Sequence, residues 1–243
     1  MNALIIIPAR LAATRLPNKP LADIHGKPMI VRVMEQAQKA KIGPVIVASG
    51  DMEITEAVKK AGGTAIDTDP NLPSGSDRVH QAFLQVKNHQ DFDVIINLQG
   101  DLPLINPKDV RRSLLPLADQ SVDIATLIAP VKTEFERNAL SVVKVACNFQ
   151  EKTEIAKALY FSRCPIPYGD GPLWHHVGIY AYRKIALERF ISLPTSYLEN
   201  REKLEQLRAL EAGMTIGCAT IEAAPFGVDT PEDLENVKRI VKG

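Results

Sequence analysis

Leu4-Ile5-Ile6-Ile7-Pro8-Ala9-Arg10-Leu11-Ala12-Ala13-Thr14-Arg15-Leu16-Pro17-Asn18-Lys19-Pro20-Leu21 decides how the rest of the chain is read. It opens as an apolar, β-branched run bounded by Pro8, the pattern of a strand buried on both faces. It continues as a loop with three cations, Arg10, Arg15 and Lys19, punctuated by Pro17 and Pro20. Positive charges at the end of a buried strand have two readings. They are solvated surface charge, or they form a phosphate cradle that uses side chains where other folds use glycines.

Outward from that strand the chain alternates. Lys27-Pro28 leads a helix whose Ile30, Val33, Met34 and Ala37 share one face, ended by Gly43-Pro44. Val45–Ala48 reads as a buried strand, Glu53–Ala61 as a helix stopped by Gly62-Gly63, and Thr64–Ile66 as a weak strand. Ser76 reads as the N-cap of a helix with Val79, Ala82, Phe83 and Val86 on one side. Asp93–Leu98 is a strand running into Gln99-Gly100-Asp101. Asn106-Pro107 caps a helix with Val110, Leu114 and Leu117 inward. Strand and helix in alternation imply a parallel sheet with right-handed crossovers. Ligands of such sheets lie beyond the carboxyl ends of the strands. The basic loop, the Ser74-Gly75-Ser76 turn and Gln99-Gly100-Asp101 all fall there.

The second half is less regular. Strands are expected at Asp123–Ala129, Ser141–Val145, Ala158–Ser162, His176–Tyr182 and Thr215–Ile221. Cys164–Pro172 is a Pro/Gly loop. Lys184–Ile191 reads as a helix, and Ser196–Ala212 as one longer helix opened by the Ser196/Glu199 capping box, with Gly213 past its end. Thr230 and Pro231 start a last helix whose Leu234, Val237 and Val241 face inward. With no repeat and no linker, residues 1–243 read as a single α/β domain.

Composition narrows the function classes. The 243 residues carry 29 basic and 29 acidic side chains, so no bulk charge favours nucleic acid or an anionic membrane. No apolar run reaches a membrane span, and Ala3–Pro8 is too short for a signal-peptide core. Cys147, Cys164 and Cys218 are odd in number, lack metal-ligand spacing and read as buried free thiols in a reducing cytoplasm. Neither a P-loop nor a dinucleotide fingerprint follows any strand, which argues against a P-loop NTPase and a dinucleotide dehydrogenase.

Two carboxylates stand out. Asp101 ends the Gln99-Gly100-Asp101 turn and can ligate Mg²⁺, or simply shape the turn. Asp229 precedes the capped last helix, as a second ligand or a turn residue. His175 and His176 are strand neighbours and point to opposite faces. Arg163 follows an aromatic pair and can stack or take a carboxylate, or lie in solvent. Glu205, Gln206 and Arg208 can be a site or a solvated helix face.

The ordered motifs I-I-P-A-R-L-A-A-T-R-L-P-N-K-P-L, P-S-G-S-D-R, N-L-Q-G-D-L-P, Y-F-S-R, H-V-G-I-Y-A-Y-R, L-E-Q-L-R and G-V-D-T-P-E-D-L resemble those of the CMP-Kdo synthetases, the 3-deoxy-manno-octulosonate cytidylyltransferases. The resemblance runs from Ile5 to Leu234. It implies a Rossmann-like nucleotide-diphospho-sugar transferase fold, a mostly parallel but mixed sheet flanked by helices. It also implies a homodimer, to which the irregular 129–171 region is expected to contribute. The implied reaction is CTP plus 3-deoxy-manno-octulosonate (Kdo) giving CMP-Kdo and pyrophosphate for lipopolysaccharide assembly.

By the same resemblance, Arg10, Arg15 and Lys19 hold the CTP phosphates, and Ser74, Gly75 and Ser76 sit at the cytosine end. Gln99 lies beside nucleotide and sugar. Asp101 and Asp229 ligate Mg²⁺ and complete a catalytic set with Arg10 and Lys19. Arg163, His176, Tyr180, Glu205 and Gln206 line the Kdo pocket, with Arg163 on the sugar carboxylate. The chain departs from the family pattern at Ser49-Gly50-Asp51, Pro73, Leu102 and Asn18. Two alternatives remain: a synthetase for another 2-keto-3-deoxy acid, such as amino-Kdo or sialic acid, and a non-catalytic nucleotide or sugar sensor.

Overall fold

The computed structural model describes residues 1–12, 15–149 and 153–241. Ala13 and Thr14 of the basic loop, and 150–152 of the expected dimer region, lie outside the described residues. The chain divides into two compact units, Met1–Val110 with Pro225–Gly243, and Arg111–Ala224.

The first unit begins with β1 (Ala3–Ala9), then a short hairpin of β2 (Asp23–Ile24) and β3 (Lys27–Pro28) and helix α1 (Met29–Lys39). There follow β4 (Val45–Ser49), α2 (Met52–Lys60), β5 (Thr64–Asp67), α3 (Gly75–Gln85), β6 (Val94–Leu98) and α4 (Pro107–Arg112). Its four long strands are parallel, in the order β5-β4-β1-β6. Successive strands march one way from β1 and then jump to its other side. The resulting switch point between β1 and β6 opens a crevice at their carboxyl ends. Leu4, Ile5, Ile6 and Ile7 are fully buried, as a strand covered on both faces requires.

Pro8 does not bound β1 as expected; the strand runs on to Ala9. In a parallel strand alternate residues address alternate neighbours. The Ile5 amide donates to Pro44 and the Ala9 carbonyl accepts from Gly50, both on the β4 side. Pro8 therefore faces β6, whose pairing already ends at Ile6 with Asn97. A missing N–H costs nothing where no acceptor waits.

The helix after the Ser-Gly-Ser turn is capped by Ser74, not Ser76. Ser74 is extended, and its Oγ accepts the Asp77 amide at 3.1 Å. Ser76 is already helical and only 1% exposed. The helix that Asn106 caps, with the Lys108 amide on its Oδ1 at 2.9 Å, stops at Arg112 rather than reaching Leu117. Pro116 cannot continue it, and Leu115–Ala118 form a 3-10 turn.

The second unit contains β7 (Ile124–Pro130), α5 (Glu134–Asn138), β8 (Lys144–Phe149), β9 (Ile155–Ser162) and β10 (Trp174–Arg183). Helices α6 (Lys184–Ser192), α7 (Tyr197–Glu202) and α8 (Gln206–Glu211) lead to β11 (Ile216–Thr220). Its strand order is β10-β7-β11-β9-β8, mixed: β7 and β11 are parallel, and among the described residues its other neighbours pair antiparallel. The strand expected from Ser141 begins at Lys144 instead. The Lys144 ammonium is fully buried and spends its donors on the carbonyls of Ala139, Val142 and Arg163. The backbone before it is thereby curled rather than extended.

The expected single helix 196–212 is two. Ser196 and Glu199 do form the capping box, but Lys203 turns left-handed at φ 57°. That turn lets Leu204 bury itself and turns the Glu202 and Lys203 carbonyls toward the Arg163 side chain, which donates to both. The chain returns to the first unit with α9 (Pro231–Ile240), capped by Thr230 with Pro231 at its first position. The α/β class and its partly parallel, mixed sheet agree with expectation.

Candidate functional site

The basic loop is anchored by apolar packing as well as by its charges. Leu16 packs with Ile24, Met29, Val228 and Val237 in one buried cluster. Each such side chain contributes about 1.5–3 kcal/mol when buried. Leu16 lies between Arg15 and Lys19, and Val228 directly precedes Asp229. The same cluster therefore sets the loop and the second carboxylate. Asn18 accepts the left-handed turn at φ 55° that opens the Lys19–Leu21 3-10 turn. The far side of the loop is tied by Asp51, whose Oδ2 accepts the Leu11 amide at 2.7 Å.

Lys19 is the centre of the arrangement. Its Nζ donates to Asp101 Oδ2 at 3.0 Å and to Asp229 Oδ1 at 3.1 Å. Burial alone would lower its pKa, but Asp101 and Asp229 together outweigh burial and raise it. Arg15 adds a contact to Asp229 Oδ2 at 3.3 Å. The Val228 amide donates to the Asp101 carbonyl at 3.0 Å, which holds the two acidic segments side by side. Gly100 lets the turn lie close against β1 and α1: a Cβ there would lie 3.1 Å from the Pro8 carbonyl oxygen and 3.3 Å from Ile30 Cδ1.

Beside them is a cavity of about 260 Å³ lined by Arg10, Lys19, Ser74, Gly75, Arg78 and Gln99, among others. It lies at the switch point, against the amino end of α3, where the helix dipole favours an anion. Gln99 Nε2 donates to Asn97 Oδ1 at 3.2 Å, and Asn97 Nδ2 to Ser76 Oγ at 3.4 Å. Ser76 therefore faces the interior and is not part of the lining, unlike Ser74 and Gly75.

Sequence reading missed Arg78. It is 2% exposed and lines the cavity. Its guanidinium donates to Thr68 Oγ1 and to the Pro70 carbonyl. Burial lowers its pKa first and neighbouring Arg10 second. The available signal was an Arg next to the apolar face of α3, one residue before Val79.

The remaining predicted residues belong to the second unit. His176 is 8% exposed and neutral; burial pushes its pKa to about 3, with His175 adding to the effect. Its ring lies 5.1 Å from Phe161 and 5.3 Å from Tyr180. Burial, then Tyr182 and Glu205, push the Tyr180 hydroxyl well above its usual value. Gln206 is 6% exposed, and its Nε2 is buried with no hydrogen-bond partner among the described residues. Such an orphaned donor costs about 1–3 kcal/mol unless a ligand takes it. Arg163 is placed differently from expectation. Its fork donates to the carbonyls of Glu202, Leu140 and Lys203 rather than standing open to a carboxylate. The break at Lys203 leaves the Glu202 and Lys203 carbonyls at a helix end needing donors.

A family model described as cytidylyltransferase matches residues 4–216. The chain belongs to the cytidylyltransferase family. Among cytidylyltransferases, the 3-deoxy-manno-octulosonate cytidylyltransferase of Paramagnetospirillum magneticum is 50% identical over 242 residues, covering 100% of this chain and 98% of the relative. That of Rhodospirillum centenum is 53% identical, covering 99% and 93%. A solved structure of CMP:2-keto-3-deoxy-manno-octonic acid synthetase complexed with CTP superposes with a TM-score of 0.90 at 42% identity, covering 99% of this chain and 98% of that one.

The carboxylate pair suits a divalent cation. Asp101 and Asp229 each hold an oxygen within about 3 Å of one point, where the Lys19 ammonium lies. Among the described residues no third His, Cys, Asp or Glu joins them. Two hard carboxylates with room for phosphate and water suit Mg²⁺ better than metals that want a full protein cage.

Proposed function

We propose that this cytidylyltransferase transfers CMP from CTP to the anomeric hydroxyl of Kdo, releasing pyrophosphate and supplying CMP-Kdo for lipopolysaccharide synthesis. The observation that carries the reading is Lys19, held between Asp101 and Asp229 beside a cationic cavity. The names of its half-identical, full-length relatives supply the sugar.

In this reading Arg10, Arg15, Lys19 and Arg78 neutralise and align the triphosphate. Ser74, Gly75 and Gln99 seat the nucleoside end. The anomeric oxygen attacks the α-phosphorus as the bond to the β-phosphate oxygen breaks, and the hydroxyl proton passes to solvent or a nearby base. Positioning and charge neutralisation supply most of the acceleration. Asp101 and Asp229 would hold Mg²⁺, which when bound supplies positive charge to the phosphates. His176, Tyr180, Glu205 and Gln206 would hydrogen-bond the sugar hydroxyls, and the unpaired Gln206 Nε2 supports that role. Arg163 would shape this pocket through the carbonyls it binds.

We also propose a cytoplasmic homodimer. Phe135, Leu140, Leu159 and Tyr168 are large, apolar and exposed within residues 129–171, which favours a partner surface there. Cys147, Cys164 and Cys218 are free, as in a reducing compartment, but contrary to the sequence reading only Cys218 is buried; Cys147 is half-buried and Cys164, in its Pro/Gly loop, is exposed. No helix of the described residues is long and apolar enough to cross a membrane.

The deciding experiment measures pyrophosphate release from CTP with Mg²⁺ and Kdo, amino-Kdo or sialic acid. Kdo should give the highest kcat/KM. Faster turnover of another acid would replace the substrate, and CTP binding without turnover of any acid would favour a sensor.

A further inference from the structure

Strand β10 contains an irregularity that brings two of its side chains together. Its pairing with β7 runs in step from Trp174 opposite Pro130 to Val177 opposite Leu127, then resumes with Tyr180 opposite Thr126. Gly178 and Ile179 are extra residues without partners in that register. A regular strand rises about 3.3 Å per residue, so positions 176 and 180 would stand about 13 Å apart. Across the bulge the two rings meet, with centroids 5.3 Å apart. The bulge shortens the strand and makes near neighbours of them.

A bulge strands backbone carbonyls, and here one side chain collects them. Thr126 is fully buried. Its Oγ1 lies 2.8 Å from the Ile179 carbonyl, 3.2 Å from the Val177 carbonyl and 3.1 Å from His176 Nε2. The hydroxyl has one proton, and carbonyls only accept. Were that proton given to His176, an oxygen lone pair would face the Ile179 carbonyl at 2.8 Å with no hydrogen between them. The proton therefore goes to the carbonyls, and the hydroxyl oxygen accepts from His176.

We propose that Thr126 is a positioning residue of the sugar site, pinning the bulge and fixing His176 as the Nε2–H tautomer. A neutral imidazole with its proton on Nε2 has a bare Nδ1, an acceptor only. His176 is thereby set to accept a hydrogen bond from a substrate hydroxyl and not to donate one from Nδ1. This consequence rests on the Kdo reading of His176; the tautomer and the pinned bulge do not.

The test has a spectroscopic arm and a kinetic arm. In ¹⁵N-histidine-labelled protein, His176 signals are assigned by their loss in His176→Gln. They should show a protonated Nε2 and an unprotonated Nδ1 near neutral pH. Thr126→Val should mix the tautomers, and Thr126→Ser should restore the wild-type pattern. For turnover, Thr126→Val should raise the KM for Kdo about tenfold while the KM for CTP stays within about twofold, and Thr126→Ser should recover Kdo affinity. A wild-type His176 protonated on Nδ1 overturns the proposal, and that measurement does not depend on Thr126→Val folding. Unchanged tautomer and Kdo KM in Thr126→Val overturn it as well. If no Kdo turnover exists in wild type, the substrate reading fails while the spectra still decide the role of Thr126.

Discussion

Lys19 Nζ lies 3.0 Å from Asp101 Oδ2, with 19% and 30% of the two side chains exposed. The same ammonium lies 3.1 Å from Asp229. Half-buried and shared, this contact gathers three segments of the first unit at one point. Its cation and carboxylates are also the groups that phosphoryl transfer needs.

Asp101→Ala should lower turnover at saturating Mg²⁺ by at least about 100-fold, because aligned charge at the reacting phosphate is lost. The residue sits on a turn beyond β6, so the fold should persist. Steady-state kinetics alongside circular dichroism check both halves. Near-normal turnover in a folded variant would remove Asp101 from the catalytic set.

Lys19→Met leaves Asp101 and Asp229 facing each other without their shared cation. Stability without metal should fall by about 1 kcal/mol. Millimolar Mg²⁺ should raise the variant's Tm more than the wild type's, since no ammonium competes for those oxygens. An identical Mg²⁺ response in both proteins would argue against a metal held by this pair. The pH dependence has a defined sign as well. The Lys19 pKa is raised by folding, so its contribution is full below 10.5 and lost as pH climbs through the raised value. The stability gap between wild type and Lys19→Met should narrow in that alkaline range.

Arg78→Met should raise the KM for CTP about tenfold and leave the KM for Kdo within about twofold. It also takes the donor from the Pro70 carbonyl and from Thr68 Oγ1, which keeps its own bond to the Ser49 carbonyl, at a cost of about 1–3 kcal/mol. Arg78→Lys keeps the charge without the fork and should fall between the two. An unchanged CTP KM in Arg78→Met would make Arg78 purely structural.

His176 is buried neutral, with its pKa held near 3 against an ordinary 6.5. Below pH 6.5 the unfolded chain takes up a proton that the native ring refuses, so stability falls with pH across the window from 6.5 to 3. Between pH 7 and pH 5 this one group should cost about 2 kcal/mol. Chemical denaturation of wild type and His176→Gln at both values checks it, and the variant should show a correspondingly shallower acid slope. Equal slopes would mean that the ring is protonated in the fold.

Much of this molecule was legible because its signals are local. The run Leu4–Ile7 announced a buried strand, Asn106 and Thr230 announced helix starts, and Gly62 a helix end. Where local signals competed, reading failed. Ser76 outcompeted Ser74 as a cap on paper, and nothing in the Ser196–Ala212 pattern showed that Lys203 would turn left-handed to bury Leu204.

The sequence by itself determined the alternating α/β order, the basic loop, the two candidate carboxylates and, through its ordered motifs, the cytidylyltransferase family. Tertiary structure alone decided that Lys19 meets carboxylates 82 and 210 residues away. It also buried Arg78 in the cavity wall, turned the Arg163 fork onto backbone carbonyls, and closed His176 onto Tyr180 across a bulge held by Thr126. The reason is range. Periodicity and capping depend on neighbours within a turn or two. Which cation reaches which carboxylate depends on how distant apolar residues such as Leu16 and Val228 pack, and no short window of sequence contains both.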